Sequence, residues 1–263
     1  MGAILLDGGA IGVSARGERL PAIPILFLHG VGSDKSAWAP QVAHFGKQRP
    51  ALALDCPGYG ESRLRPAADR DGFAAAMFEA LDALAIERAH ICGLSLGGVV
   101  AIAMHHQAPR RCVSLILADS FAVHPEGEAI YTRSVEASRT MPMRELAAAR
   151  APLLLGADAS AALRGEVIET MAAIDVEAYR IAAAAVWLAD QRERAAEIDV
   201  PILILVGDED QITPPALSSD LASLIRDAQF EVIAGAGHLT NIEQPRAFNS
   251  AVDRFLALTE SKL

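Results

Sequence analysis

Cysteine is scarce in this chain: 263 residues hold three, Cys56, Cys92 and Cys112. The count is odd and the spacing matches no metal motif, which argues against a disulfide framework and a cysteine-held metal and fits free thiols in a reducing cytoplasm. Cys92 and Cys112 stand in apolar runs and read as small core residues. No apolar run reaches the length needed to span a membrane. The opening MGAILLDGGAIG lacks the basic segment and apolar core of a signal peptide, and Leu6 stands where a myristoylation signal requires Ser or Thr. A cytoplasmic location is therefore expected. Runs of Lys or Arg are missing too. With 23 basic against 33 acidic residues and a formal charge of −10, the surface disfavours nucleic acid and anionic membranes as partners. Internal repeats and low-complexity tails are also missing.

What is present is a series of short apolar runs. IPILFLHG (23–30), PALALDCPG (50–58), AHICGLS (89–95), CVSLILADS (112–120) and VPILILVGD (200–208) are continuous rather than alternating, and QFEVIAG (229–235) is a shorter version. Such runs predict strands buried on both faces. Residues 4–6 and 11–15 predict two further short strands about a DGG turn. Helical patterns fall between the runs, near 36–47, 71–86, 97–108, 214–226 and 245–258. Strand alternating with helix predicts an α/β fold with a mostly parallel sheet flanked by helices. From 122 to 196 no strand is evident. That stretch is rich in Ala, Glu and Arg and predicts three or four helices, divided near 140–143, 155–160 and 173–179. It interrupts the series, so residues 1–121 and 197–263 are expected to form the core and 122–196 a helical insertion.

Residues 91–100, ICGLSLGGVV, surround Ser95 with small neighbours. A strand that turns sharply into a helix would present Ser95 outward in a strained conformation, leaving no room for side chains at Gly93 and Gly97. The N–H of Leu96, at the helix start, could then stabilise an oxyanion. A serine hydroxyl needs a base. Of the seven histidines, His238 in the glycine-rich GAGHLTNIEQP is the candidate. His105 and His106 lie late in the helix after Ser95 and face away; His44 and His124 read as surface or loop residues; His90 begins a strand. An acid to orient the imidazole is offered by Asp208, Glu209 and Asp210, after the strand at 200–208. The order Ser, acid, His is that of one triad class. The loop FLHGVGSDKSAW (27–38) could add a second oxyanion N–H, from Val31.

Taken together, His29-Gly30, DCPGYGES (55–62), GLSLGG (93–98), GDEDQITPP and GHLTNIEQP resemble the α/β-hydrolase fold family over about residues 10–258. The resemblance implies the nucleophile Ser95, the base His238 and, three residues after Gly207, the acid Asp210 rather than Asp208. It also implies that 122–196 is a helical cap after the sixth strand. In some members the acid follows that strand instead, which makes Asp119 an alternative. HLTNIEQPRAFNSAV is similar to 3-oxoadipate enol-lactonases, although HGVGS stands where those enzymes carry an Asn-Ser-Leu-Gly type loop. The implied activity is hydrolysis of a small ester or lactone through an acyl-enzyme, with no cofactor or metal. Cleavage of a carbon–carbon bond in a vinylogous diketone is the alternative, and a non-catalytic binding protein of this fold a further one. Arg133, Arg139, Arg144, Arg150, Arg164 and Arg180 are candidates to bind a substrate carboxylate. Trp187 and Tyr179 either line the pocket or fasten the cap. Oligomeric state is left open.

Overall fold

The computed structural model describes residues 2–6, 8–65 and 69–262. Among the described residues the strands are β1 (Gly2–Leu6), β2 (Gly9–Arg16), β3 (Ile25–Leu28), β4 (Ala51–Leu54), β5 (Ala89–Leu94), β6 (Cys112–Ala118), β7 (Ile202–Gly207) and β8 (Gln229–Ile233). They form one sheet in the order β1-β2-β4-β3-β5-β6-β7-β8. β2 pairs antiparallel with β1 and β4, and every other pairing is parallel. Asp7, in the turn expected between the first two strands, lies outside the described residues.

The continuous apolar runs have a direct cause. Every residue of β3 to β7 is buried, because helices cover both faces. Alternate residues feed opposite layers: Leu26 and Leu28 pack on one face, Ile25 and Phe27 on the other. Phe27 stacks on Trp38 at 4.9 Å between ring centroids. The edge strands β1 and β8 are half-buried to exposed, apart from the buried Ile233 at the end of β8.

The first helices are α1 (Ala39–Phe45), α2 (Arg70–Ala83) and α3 (Leu96–Gln107). Between β6 and β7 come α4 (Gly127–Thr140), α5 (Met143–Leu154), α6 (Ala161–Ala172), α7 (Val176–Trp187) and α8 (Arg192–Ala196). The expectation of three or four helices here is thus corrected to five. The extra one, α8, is a single short turn of five residues, too brief to show a periodic pattern. The chain ends with α9 (Pro215–Leu224), the short α10 (Thr240–Glu243) and α11 (Pro245–Glu260). Among the described residues no helix is long and apolar enough to cross a membrane, and no cluster of three or more His, Cys, Asp or Glu side chains could hold a metal ion. All three cysteines are buried and free.

The topology decides where chemistry can occur. β3, β5, β6 and β7 are consecutive neighbours in the sheet. Their C-terminal ends deliver His29, Ser95, Asp119 and the 208–210 acids to one edge. In open α/β sheets that edge is where ligands bind.

Candidate active site

Ser95 links β5 to α3 with φ 55° and ψ −114°, a left-handed backbone that a residue with a Cβ adopts only at a cost of roughly 1–3 kcal/mol. The surroundings enforce it. The Ser95 N–H donates to Ala118 O at 2.9 Å, and its carbonyl accepts from the N–H groups of Gly98 and Val99 and from the Ser120 hydroxyl. A Cβ on Gly93 would stand 2.1 Å from Gly97 O, and one on Gly97 the same distance from Leu28 O. The small neighbours are therefore a packing requirement of the turn. Gly93→Ala is expected to cost about 3 kcal/mol, or roughly 6–12 °C in Tm at this chain length. Gly165→Ala in α6, where a new Cβ meets nothing within 4 Å, is expected to gain about 0.5–1 kcal/mol. Thermal unfolding of the two variants checks both signs.

The loop after β3 lies against this turn. A Cβ on Gly30 would sit 3.4 Å from Ser95 Cβ. His29 is buried and sets the loop's orientation: Nδ1 lies 2.8 Å from Gly30 O, and Nε2 accepts from the Cys56 N–H at 2.9 Å. Those partners require Nδ1–H, the neutral tautomer, and burial pushes the His29 pKa below its ordinary value, in agreement. The Gly30 carbonyl and the Val31 N–H belong to one planar peptide and point oppositely. Fixing the carbonyl on His29 turns the Val31 N–H away from that ring. Among the described residues neither the Val31 nor the Leu96 N–H donates to a protein acceptor. The Val31 carbonyl is held by the Tyr59 hydroxyl at 3.0 Å.

DCPGYGES, after β4, is a support for that loop. Asp55 is fully buried; it accepts from the Lys35 N–H at 2.8 Å, the Glu61 N–H at 3.0 Å and Lys35 Nζ at 2.5 Å.

The three acids after β7 separate cleanly. Asp210 Oδ2 lies 2.9 Å from His238 Nδ1. Its Oδ1 accepts from the N–H groups of Ile212 (2.8 Å) and Thr213 (2.9 Å), and the Thr213 hydroxyl donates to Oδ2 at 2.6 Å. Asp208 faces elsewhere: its Oδ1 accepts from the Gly235 N–H at 2.7 Å, closing the turn after β8. The alternative that gave Asp208 to the histidine is corrected on that geometry. Glu209 accepts from the Ala157 N–H at 2.7 Å.

Asp119, the other alternative, follows β6 and is fully buried, with φ 48°. Its carboxyl accepts from the Gly207 N–H at 3.0 Å and the Thr240 hydroxyl at 2.5 Å. It bridges the strand leading to Asp210 and the helix following His238, while Asp210 holds the imidazole.

The charges follow from these contacts. Burial alone would push the Asp210 carboxyl up; the His238 imidazole and the Thr213 donors outweigh it and hold it below the usual carboxylate range. Burial likewise pulls His238 down, but the Asp210 carboxylate raises it above its ordinary value. Burial and the charge of Asp210 push Asp119 well above the usual range.

Ser95 and His238 line one small cavity of about 30 Å³ with Gly30, Val31, Arg150 and Trp187. Trp187, Arg150 and Ile212 also line a larger cavity of about 450 Å³, bounded by α4, α5 and α7 and reaching Glu126 and Arg133. A third, of about 280 Å³, shares Gly32, Ser33 and Leu239 with the first and lies against α6. The insertion is tied to the histidine loop at one point. His238 N–H donates to Leu154 O at 2.9 Å, and the Glu243 carboxylate accepts from Gly156 at 2.6 Å and from Gly237 and Leu239 at 3.0 and 3.2 Å.

Sequence reasoning missed three members of this surround. Thr213 was detectable as the third residue after Asp210, the spacing of a side chain that caps its own turn. Thr240 and Glu243 carry no comparable signal. His124, expected at the surface or in a loop, is in a loop but packs edge-on against Phe121 and Trp187, at 5.4 Å from each, and lines the larger cavity. Of the two aromatic residues left open, Trp187 lines the cavities and Tyr179 is buried in the core away from them. His44 pairs with Asp253, His90 with Ser114 and Glu260, His105 with Asp199 and His106 with Glu197, all away from Ser95.

Residues 25–251 match the Alpha/beta hydrolase family, and the chain belongs to it. It is 31% identical over 246 residues to 3-oxoadipate enol-lactonase 1 of Acinetobacter baylyi, covering 92% of this chain and 91% of that protein. It is 32% identical over 251 residues to 2-hydroxymuconate semialdehyde hydrolase of Pseudomonas sp., covering 89% and 87%. The crystal structure of the enol-lactonase from Burkholderia xenovorans LB400 superposes with a TM-score of 0.91 at 29% identity, over 97% of this chain and 99% of that one.

Proposed function

We propose that the protein is a serine hydrolase that cleaves a small carboxylic ester or lactone, in the manner of the enol-lactonases it resembles. The observation that carries this reading is the meeting of Ser95, on its strained turn, with an Asp210-held His238 in one cavity. His238 Nε2 takes the proton of Ser95 Oγ as the oxygen attacks the substrate carbonyl. Asp210 accepts from Nδ1–H and stabilises the imidazolium. The Val31 and Leu96 N–H groups receive the oxyanion. Collapse of the tetrahedral intermediate breaks the C–O bond, the His238 proton leaves with the alkoxide, and Ser95 is acylated. Water, deprotonated by His238, attacks the acyl carbonyl and returns Ser95 with the acid product. No step calls on a cofactor or metal.

A cavity of 30 Å³ admits little more than a reacting carbonyl, so the substrate body lies in the adjoining 450 Å³ space, a volume within the roughly 300–1,000 Å³ of small-molecule sites. Residues 122–196 act as the cap on a core of 1–121 and 197–263, and the protein works in the cytoplasm on a small molecule.

The 32% identity to 2-hydroxymuconate semialdehyde hydrolase favours a second reading, hydrolysis of a carbon–carbon bond. The same triad and oxyanion donors serve it. The test is kcat/KM for 3-oxoadipate enol-lactone, a neutral p-nitrophenyl ester and a vinylogous diketone, with fluorophosphonate labelling of Ser95. Labelling with a preference for the lactone or ester supports the first reading, and a preference for the diketone replaces it with the second. A chain that neither labels nor turns over any of the three is not a serine hydrolase.

A further inference from the structure

Asp210 fixes one nitrogen of His238 and leaves the other to the backbone. Nδ1 lies 2.9 Å from Asp210 Oδ2 and 3.2 Å from the Thr213 hydroxyl oxygen. Nε2 stands at the far side of the ring, so its aim at Ser95 depends on where the 237–239 backbone sits. A misplacement of about 1 Å at a reacting group can cost about 10²-fold in rate.

That backbone is held from outside its own loop. The N–H groups of Gly235 and Ala236 donate to Asp208 Oδ1 at 2.7 and 3.4 Å, and that of His238 donates to Leu154 O at 2.9 Å. The remaining two, Gly237 and Leu239, both donate to Glu243 Oε1, at 3.0 and 3.2 Å. One carboxylate oxygen thus takes the N–H on each side of the histidine. The local chain puts it there: the Glu243 N–H donates to Leu239 O at 3.0 Å, closing the single turn of α10 and folding the side chain back over the loop. The other oxygen, Oε2, accepts from the Gly156 N–H at 2.6 Å. The contact is tight, since a Cβ on Gly237 would stand 2.6 Å from Gly156 N. An ionised acceptor holds such N–H groups more firmly than a neutral one.

We propose that Glu243 is the positioning residue of the base. By gripping the residues before and after His238 it aims Nε2 at the Ser95 oxygen and then at the leaving group, while touching neither. The inference rests on the serine hydrolase reading above. The proton that His238 takes from Ser95 is the one it hands to the departing alkoxide, so a misdirected ring fails at both transfers. A leaving group stable as an anion needs only the first.

The experiment compares kcat/KM for p-nitrophenyl butanoate and 2,2,2-trifluoroethyl butanoate. They share an acyl group, but p-nitrophenolate departs unprotonated whereas trifluoroethoxide requires the His238 proton. Glu243→Leu is expected to lower kcat/KM about 10²-fold on the nitrophenyl ester and about 10-fold further on the trifluoroethyl ester. Both rates come from one preparation, so their ratio is blind to the fraction that folds. Should Glu243→Leu yield no folded protein, Glu243→Asp, one methylene short of the N–H groups, gives the same reading. In Glu243→Gln the amide oxygen still accepts from Gly237 and Leu239 while the NH₂ meets the Gly156 N–H, and the ratio is expected to return to within about 3-fold of wild type. Glu209→Ala, which gives up the Ala157 contact without touching 237 or 239, is expected to leave the ratio unchanged. A ratio unmoved in Glu243→Leu, or moved as far in Glu243→Gln, overturns the assignment and leaves the hydrolase reading intact. So does a wild type that cleaves the nitrophenyl ester alone, since it has no proton delivery to aim. A wild type that cleaves neither ester, with Ser95 unlabelled by fluorophosphonate, overturns that reading and the assignment with it.

Discussion

Ser95→Ala is expected to lower kcat/KM by at least about 10⁴-fold and to leave Tm within about 2 °C of the wild type. Both halves follow from the turn. The Ser95 side chain makes no capping hydrogen bond to α3. What holds the residue are its backbone bonds to Ala118, Gly98, Val99 and the Ser120 hydroxyl, and alanine retains them all. Alanine bears the same strain at φ 55°, so the folded state is neither relieved nor burdened. Only the nucleophile is lost. Ser95→Gly is the informative companion. It removes the same oxygen and also the Cβ penalty, and is expected to raise stability by about 1 kcal/mol while being equally inactive. Steady-state kinetics and thermal unfolding of the two variants separate strain from chemistry.

Asp210→Asn is expected to lower kcat by about 10⁴-fold. The amide cannot accept from Nδ1–H with a charged oxygen, and its NH₂ favours the wrong imidazole tautomer. The pH profile distinguishes this from a folding defect. His238 is held above its ordinary value of about 6.5 by Asp210. A base with a raised pKa stays protonated to higher pH, so the acid limb of wild-type kcat/KM lies above 6.5 and activity falls as pH drops through it. Without the carboxylate, burial dominates and the limb moves to lower pH. Asp208→Asn, whose carboxylate only closes the turn at Gly235, is expected to cost less than about 10-fold with the acid limb unmoved. A larger loss in Asp208→Asn than in Asp210→Asn would reassign the acid.

The sheet was legible because strands buried on both faces write themselves as unbroken apolar runs. Ile202–Gly207 and Cys112–Ala118 could be little else once bounded by turns. Ser95 was legible for a related reason: the close approach of backbone to Gly93 and Gly97 forbids a Cβ at both, and that prohibition is visible as letters. The choice among Asp208, Glu209 and Asp210 was not, because three adjacent acids differ only in the direction their loop gives them. Family resemblance selected Asp210, and the hydrogen bonds of Ile212 and Thr213 explain its direction. Arg150 was indistinguishable from five other arginines because α4 to α7 share one Ala-, Glu- and Arg-rich composition. What singles it out is its place in the lining of both the Ser95 cavity and the larger one, a property of three dimensions.

The tie between the insertion and the histidine loop has a consequence for how this enzyme could diversify. Leu154, Gly156 and Ala157 hold on to the His238 N–H, Glu243 and Glu209, so the segment that helps to line the Ser95 cavity and the segment that carries His238 are one inheritable module. A helical insertion transplanted from a relative would bring new pocket walls, yet without those three contacts it would also release the loop beneath it. Cavity-lining positions of α4 such as Ile130 and Ala137 lie outside that tie, whereas the junction at residues 154–157 has to change in concert with 209 and 243 or not at all.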